Sequence, residues 1–265
     1  MDLGLAGRAC IVTGASRGIG RATARGLAGE GARVLLVARG GDALADAGRE
    51  CAAGGGEAAA LALDVTEEDA GDRAVAACEE HFGRVDVLVN NAGTSRVRAL
   101  DELTDDDWRS QWELNVMASL RMMRAAAPRM AELGWGRVVN VCSSSGKRPS
   151  ASNAAYSVAK AAQLSLSRAY ADAYAGRGVL VNAVAPGPVA SPLWTGEGGL
   201  ADQAAEQKGV QREEALADAA AKIPLGRFAT EDEIASVIVF LCSERASDVA
   251  GAAWSVDGGT VPTIV

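Results

Sequence analysis

Ala9-Cys10-Ile11-Val12-Thr13-Gly14-Ala15-Ser16-Arg17-Gly18-Ile19-Gly20 is the stretch that decides the fold. A continuous apolar run, Ala9–Thr13, breaks into a glycine-rich turn, and a helix-like stretch over 18–30 follows. An unbroken apolar run of that length suits a strand buried on both faces, as in a parallel sheet. The glycines permit a tight turn, close approach of backbone to a phosphate, and close packing of the helix on the strand. The helix then offers its first amides, at the positive end of its dipole, to that phosphate. Strand, glycine turn and helix together make the first unit of a doubly wound sheet.

The same rhythm runs down the chain. Apolar runs at Ala9–Thr13, Val34–Ala38, Ala58–Asp64, Val85–Asn90, Val138–Cys142, Val179–Ala185 and Ala252–Val256 read as strands buried on both faces. Helical patterns fall between them at about 18–30, 42–54, 67–82, 105–132, 155–176 and 231–243. Thr66 with Asp69, Thr104 with Asp107 and Thr230 with Glu233 have the spacing of N-terminal caps. Seven strands alternating with helices predict an α/β fold: a Rossmann-like, doubly wound, seven-stranded parallel sheet in three α/β/α layers. No linker or repeat divides residues 1–265, so one domain is expected. Residues 188–226 alone break the alternation, with Leu193, Trp194, a Gly196–Gly199 turn and short helical patterns near 200–208 and 212–222. A connection that long in a compact domain reads as a lid or binding loop.

Composition narrows the chemistry. Of 265 residues 49% are hydrophobic, enough for a full core. No eighteen-residue apolar run exists to span a membrane, and the N-terminus has no basic segment leading into an apolar one, so a cytoplasmic protein is expected. Net charge is −8 and no basic, aromatic-laced cluster is present, which argues against nucleic acid as a partner. Five scattered cysteines without a Cys-x-x-Cys read as reduced and buried. The one histidine, His81, sits near the end of a helical pattern, and no cluster has metal-ligand spacing, so no metal is expected.

Polar and glycine-rich signals gather at the carboxyl ends of the strands, where open α/β sheets bind ligands. They are Thr13–Gly20, Ala38-Arg39, Asp64-Val65, Asn90-Asn91-Ala92-Gly93, Cys142-Ser143-Ser144 and Pro186-Gly187. Gly14-Ala15-Ser16-Arg17-Gly18 also matches the Gly-x-Ser-x-Gly nucleophile elbow. That reading fails, because a hydrolase needs an acid and then a histidine after the serine, and nothing beyond His81 supplies one. No Gly-Lys-Ser/Thr makes a P-loop either. Farther on, Tyr156 and Lys160 stand one helical turn apart on one face. A phenol titrates near ~10, and an adjacent ammonium favours its ionised form.

Taken together, Thr13–Gly20, Asn90–Gly93, Asn115, Ser143 thirteen residues before Tyr156, Tyr156-x-x-x-Lys160, Pro186-Gly187 and Val256-Asp257-Gly258-Gly259 resemble the short-chain dehydrogenase/reductase family over essentially the whole chain. The likeness is to single-domain members similar to 3-oxoacyl-ACP reductases. It implies hydride transfer between a nicotinamide cofactor and a ketone or secondary alcohol. Tyr156 would be general acid or base, Ser143 would hold the substrate oxygen, Lys160 would lower the tyrosine pKa and bond the nicotinamide ribose, and Asn115 would hold a water leading to solvent.

By the same resemblance Gly14, Ser16, Arg17, Gly18, Ile19 and Gly20 would surround the pyrophosphate. Asp64 and Val65 would border the adenine. Asn91, Ala92 and Gly93 would line the cofactor. Pro186, Gly187, Val189 and Ser191 would contact the nicotinamide, Ser191 replacing the family's usual threonine. Arg17 and Arg39, with no acid until Asp42, are the pattern for the 2′-phosphate of NADP(H) rather than NAD(H). The resemblance also implies a homotetramer built on helices 105–132 and 155–176. Alternatives are an NAD-dependent alcohol or polyol dehydrogenase, and a catalytically silent NADP-binding regulator. Arg96, Arg98 and Arg148 are candidates for a basic patch toward an acidic carrier protein.

Overall fold

The computed structural model describes residues 2–262. In chain order it comprises β1 (Ala9–Thr13), α1 (Gly18–Gly29), β2 (Arg33–Ala38), α2 (Gly41–Ala53), β3 (Glu57–Ala62), α3 (Ala70–Phe82), β4 (Val87–Asn90), α4 (Asp105–Trp112), α5 (Ala118–Glu132), β5 (Gly136–Val141), α6 (Ser144–Lys147), α7 (Ala154–Tyr174), β6 (Val179–Pro186), α8 (Pro192–Thr195), α9 (Leu200–Lys208), α10 (Arg212–Ala221), α11 (Glu231–Cys242) and β7 (Ala253–Val256). All strands run parallel in the order β3-β2-β1-β4-β5-β6-β7. The order reverses between β1 and β4, and the crevice above that reversal is where such sheets place a ligand.

Side chains alternate across the sheet, so each strand feeds two cores. Cys10 and Val12 of β1 pack with Leu27 of α1, Leu44 of α2 and Ile234 and Ile238 of α11. Ala9 and Ile11 pack on the other face with Val75 of α3 and Met122, Met123 and Met130 of α5, and Ala171 of α7 joins that layer. The predicted three layers are therefore present. The central strands are buried throughout, as expected, but β3 and β7 are not. Each is an outermost strand, with a neighbour on one side only, and three of six residues in β3 and three of four in β7 face solvent.

Two of the three predicted caps form. Thr104 and Asp107 close a capping box on α4, and Thr230 and Glu233 close one on α11. The third does not: Asp64 Oδ1 accepts from Thr66 N (2.9 Å) and Thr66 Oγ1 (2.7 Å), which withdraws Thr66, and α3 begins after Asp69 without a side-chain cap. The stretch 105–132 is also not one helix. A π-helical turn, Glu113–Met117, separates α4 from α5 and carries Asn115. Such turns recur at functional sites.

Candidate active site

The glycine turn is stitched to the end of β4. Thr13 Oγ1 accepts from Asn91 N (2.9 Å) and Ala92 N (3.0 Å), and Asn91 Nδ2 donates to Thr13 O (2.9 Å). Gly14 has φ +65°, and a Cβ there would lie 2.8 Å from Asn91 Nδ2 and 3.0 Å from Ala92 Cα, so only glycine fits. α1 starts with no side-chain cap. Its first amides are therefore free to bind an anion. Arg17 precedes that helix and is exposed. Arg39, at the end of β2, is 81% exposed and meets Asp64 only at 4.0 Å. The carboxyl of Asp64 is held below its usual range by hydrogen bonds from Thr66, backbone first.

The second half of the site lies past β5. Ser143 accepts from Ser145 N (3.1 Å) as the cap of the short α6. Tyr156, in the first turn of α7, is half-buried with its phenol toward Ser143. Lys160, one turn on, is buried, with Nζ 5.7 Å from the Tyr156 ring centre. A Cβ on Gly93 would lie 3.0 Å from Asn115 Oδ1 and 3.5 Å from Lys160 Nζ. Gly93, Asn115 and Lys160 thus border one small space. Asn115 Nδ2 is bonded to Gln111 O and Oε1, both at 3.0 Å, whereas its buried Oδ1 has no partner. An orphaned buried acceptor in a polar site calls for a partner that the protein itself does not supply.

The electrostatics depart from the expectation that Lys160 lowers the tyrosine. Desolvation pushes Tyr156 up to about 12, against an opposing hydrogen bond from Ser143. Desolvation also pulls Lys160 down to about 8. Burial, and not Lys160, is the largest influence on the phenol. A phenol protonated at neutral pH is what the protein alone provides.

Beside Tyr156 opens a cleft of about 370 Å³. Leu103, Leu114 and Ala155 give it apolar wall; Thr94, Arg96 and Asn153 give it polar edge. Residues 188–226 form α8, α9 and α10, and their base is pinned by Ala190 N to Ala229 O (2.8 Å) and Ala229 N to Pro188 O (3.1 Å). Trp194 packs edge-on to Phe228 at 5.0 Å. From α9, Gln203 Oε1 accepts from Val97 N (2.9 Å), which ties the segment to the loop that follows Gly93.

A family model for short chain dehydrogenases matches residues 8–198. The chain belongs to the short-chain dehydrogenase family. Its relatives include the cis-4-hydroxycyclohexanecarboxylate dehydrogenase of Sinomonas cyclohexanicum, 39% identical over 98% of each chain. The 3-oxoacyl-[acyl-carrier-protein] reductase of Thermotoga maritima is 34% identical over 97% of this chain and 99% of its own. Among solved structures, the L-sorbose reductase of Gluconobacter frateurii, complexed with NADPH and L-sorbose, superposes with TM-score 0.92 at 36% identity over the whole of both chains. As a short-chain dehydrogenase the protein is an oxidoreductase of the alcohol–ketone class.

In this short-chain dehydrogenase Asn115, Ser143, Tyr156 and Lys160 gather at the carboxyl end of the sheet, with Gly93 beside Asn115 and Lys160. Pro186 ends β6, and Gly187 after it lies against Asp257, where a Cβ on Gly187 would lie 2.9 Å from Asp257 Cα. Val189 and Ser191 are buried at the base of the 188–226 segment. Of the three arginines named as a candidate patch, Arg96 and Arg98 both line the cleft, and Arg98 pairs with Asp107 at 2.6 Å. Sequence reasoning missed Gln111, Ser119, Gln163 and Gln203. Gln163 lies three residues after Lys160, a helical-neighbour spacing that could have flagged it.

Proposed function

We propose that the protein interconverts a ketone and a secondary alcohol with NADP(H), Tyr156 acting as general acid in reduction and general base in oxidation. The observation that carries this reading is the convergence of Ser143, Tyr156, Lys160 and the unpartnered Asn115 Oδ1 at one strand end. The residues present suit the cofactor. Uncapped amides of α1 would take the pyrophosphate, Asp64 and Val65 would flank the adenine, and Arg17 and Arg39, exposed at the ends of their loops, would take the 2′-phosphate. Ser16, Gly18, Ile19, Asn91, Ala92, Pro186, Gly187, Val189 and Ser191 would line the rest. The relative solved with NADPH supports NADP(H) over NAD(H).

When bound, the cofactor would supply hydride to the carbonyl carbon of a ketone or take it from the carbinol carbon of an alcohol. The chain's own residues do the rest. Ser143 Oγ donates to the substrate oxygen and fixes it beside the phenol. Tyr156 Oη delivers its proton to that oxygen as negative charge develops there. Lys160 holds its charge near the phenol, and the space between it and Asn115 Oδ1 takes a water that refills the proton.

The cleft walls and the 188–226 segment suit a substrate of mixed polarity, with that segment acting as a lid on the single domain. The hydroxy acid and the keto sugar named for two relatives support that class. Trp112 of α4 and Val158 of α7, apolar yet 45% and 47% exposed, support assembly through these helices. A panel of ketones and alcohols offered with NADPH and NADP, then with NADH and NAD, tests the reading. Ketone-dependent NADPH oxidation is expected, and strict use of NADH would overturn the role given to Arg39.

A further inference from the structure

An ammonium has three N–H donors. Two of those on Lys160 are committed, to Val141 O and to Gln163 Oε1, each at 2.8 Å. Gln163 is fully buried. Its Nε2 donates to Ser119 Oγ at 2.7 Å, and Ser119 Oγ donates to Asn115 O at 3.4 Å. A buried amide is costly unless bonded at both ends. Here one end is spent on the lysine and the other on the turn that carries Asn115. The chain Lys160–Gln163–Ser119–Asn115 therefore links the lysine's direction to the position of the orphaned amide oxygen. One N–H of Lys160 is left for the Tyr156 side of the site.

We infer that Gln163 is a positioning residue, which aims the Lys160 ammonium and holds it charged for the reaction. The inference rests on the role given to Lys160 above. The groups facing that ammonium are otherwise weak supports. The residue just after β5 presents the Cys142 thiol, α7 the Tyr156 phenol, and the Glu113–Met117 turn the neutral Asn115. No carboxylate pairs with Lys160 among the described residues. Removing the Gln163 oxygen leaves a buried cation with a donor unmet, which favours loss of its proton. An anionic carboxylate in its place favours the charge.

The chain has four lysines, Lys147, Lys160, Lys208 and Lys222, and Lys160 alone among them is buried. Labelling the full chain with 13C-lysine gives four side-chain signals, and titrating the protein without cofactor reads Lys160 directly. In Gln163→Met its midpoint falls by about one pH unit or more, and in Gln163→Glu it rises by a similar amount. The other three signals do not move. With cofactor and ketone, the high-pH limb of kcat shifts in the same two directions while KM for the ketone stays within about threefold. Where Gln163→Met does not fold, Gln163→Glu decides alone: an upward shift supports the assignment and an unmoved midpoint overturns it. Absence of hydride transfer in the parent protein overturns the proposed function. Normal transfer with an unmoved Lys160 in the variants overturns the Gln163 assignment alone.

Discussion

Replacing Arg39 by alanine separates the two cofactors. The Arg39 side chain is 81% exposed and its sole ion-pair partner among the described residues is Asp64, 4.0 Å away. Such a pair in solvent is worth about 1 kcal/mol or less, so the free protein gives up little when it is lost. Asp64 keeps its orientation through Thr66. A charge-assisted bond to phosphate contributes about 1.5–3 kcal/mol, and exposure puts this one near the lower figure. About 1.5 kcal/mol is roughly tenfold in affinity. Arg39→Ala should thus weaken NADPH binding about tenfold and leave NADH within about twofold. Titrating the nicotinamide fluorescence with protein gives both constants. The gap between cofactors should shrink as salt is raised, because screening acts on an exposed charge. Equal losses for NADPH and NADH, or a parent protein that binds NADH more tightly, would refute the reasoning.

Lys160 makes the folded state pH-dependent. Its pKa of about 8 lies below the ordinary 10.5, so between those values the unfolded chain holds more protons and stability rises with pH. Relative to Lys160→Met, the parent should gain roughly 3 kcal/mol from pH 8 to 10.5 in denaturant titrations, and a flat difference would refute the buried charge. Gly93→Ala puts a methyl 3.0 Å from Asn115 Oδ1 and 3.5 Å from Lys160 Nζ. It should cut kcat about tenfold or more with only a modest loss of melting temperature. Thr230→Ala removes one half of the capping box on α11 and should cost about 1 kcal/mol, read as a melting-point drop of roughly 2–4 °C with kcat unchanged.

The fold was legible because its signals are local. Apolar runs marked the central strands to within a residue or two, and Thr104–Asp107 and Thr230–Glu233 capped their helices as their spacing implied. Thr66–Asp69 has similar spacing and failed, because Asp64 two residues upstream competes for the same threonine. The exposure of β3 was hidden, since an apolar run does not reveal which strand will be outermost. The π-helical turn at Glu113–Met117 carries no glycine or proline to announce it, whereas Pro128 sits inside α5 without breaking it. The candidate site residues were proposed from motif spacing and the family resemblance. Their electrostatics were not, because the sequence pairs Tyr156 with Lys160 but says nothing of the burial that raises one pKa and lowers the other. Gln163 and Ser119 escaped notice for a related reason: an amide and a hydroxyl in helices look like surface until packing encloses them.

The role of Tyr156 is tested most directly by Tyr156→Phe, which removes one hydroxyl and keeps the ring in place. With NADPH and the preferred ketone, kcat should fall about 100- to 10,000-fold while NADPH affinity stays within about threefold. Hydride transfer at the parent rate in Tyr156→Phe would contradict the assignment of Tyr156 as the proton donor.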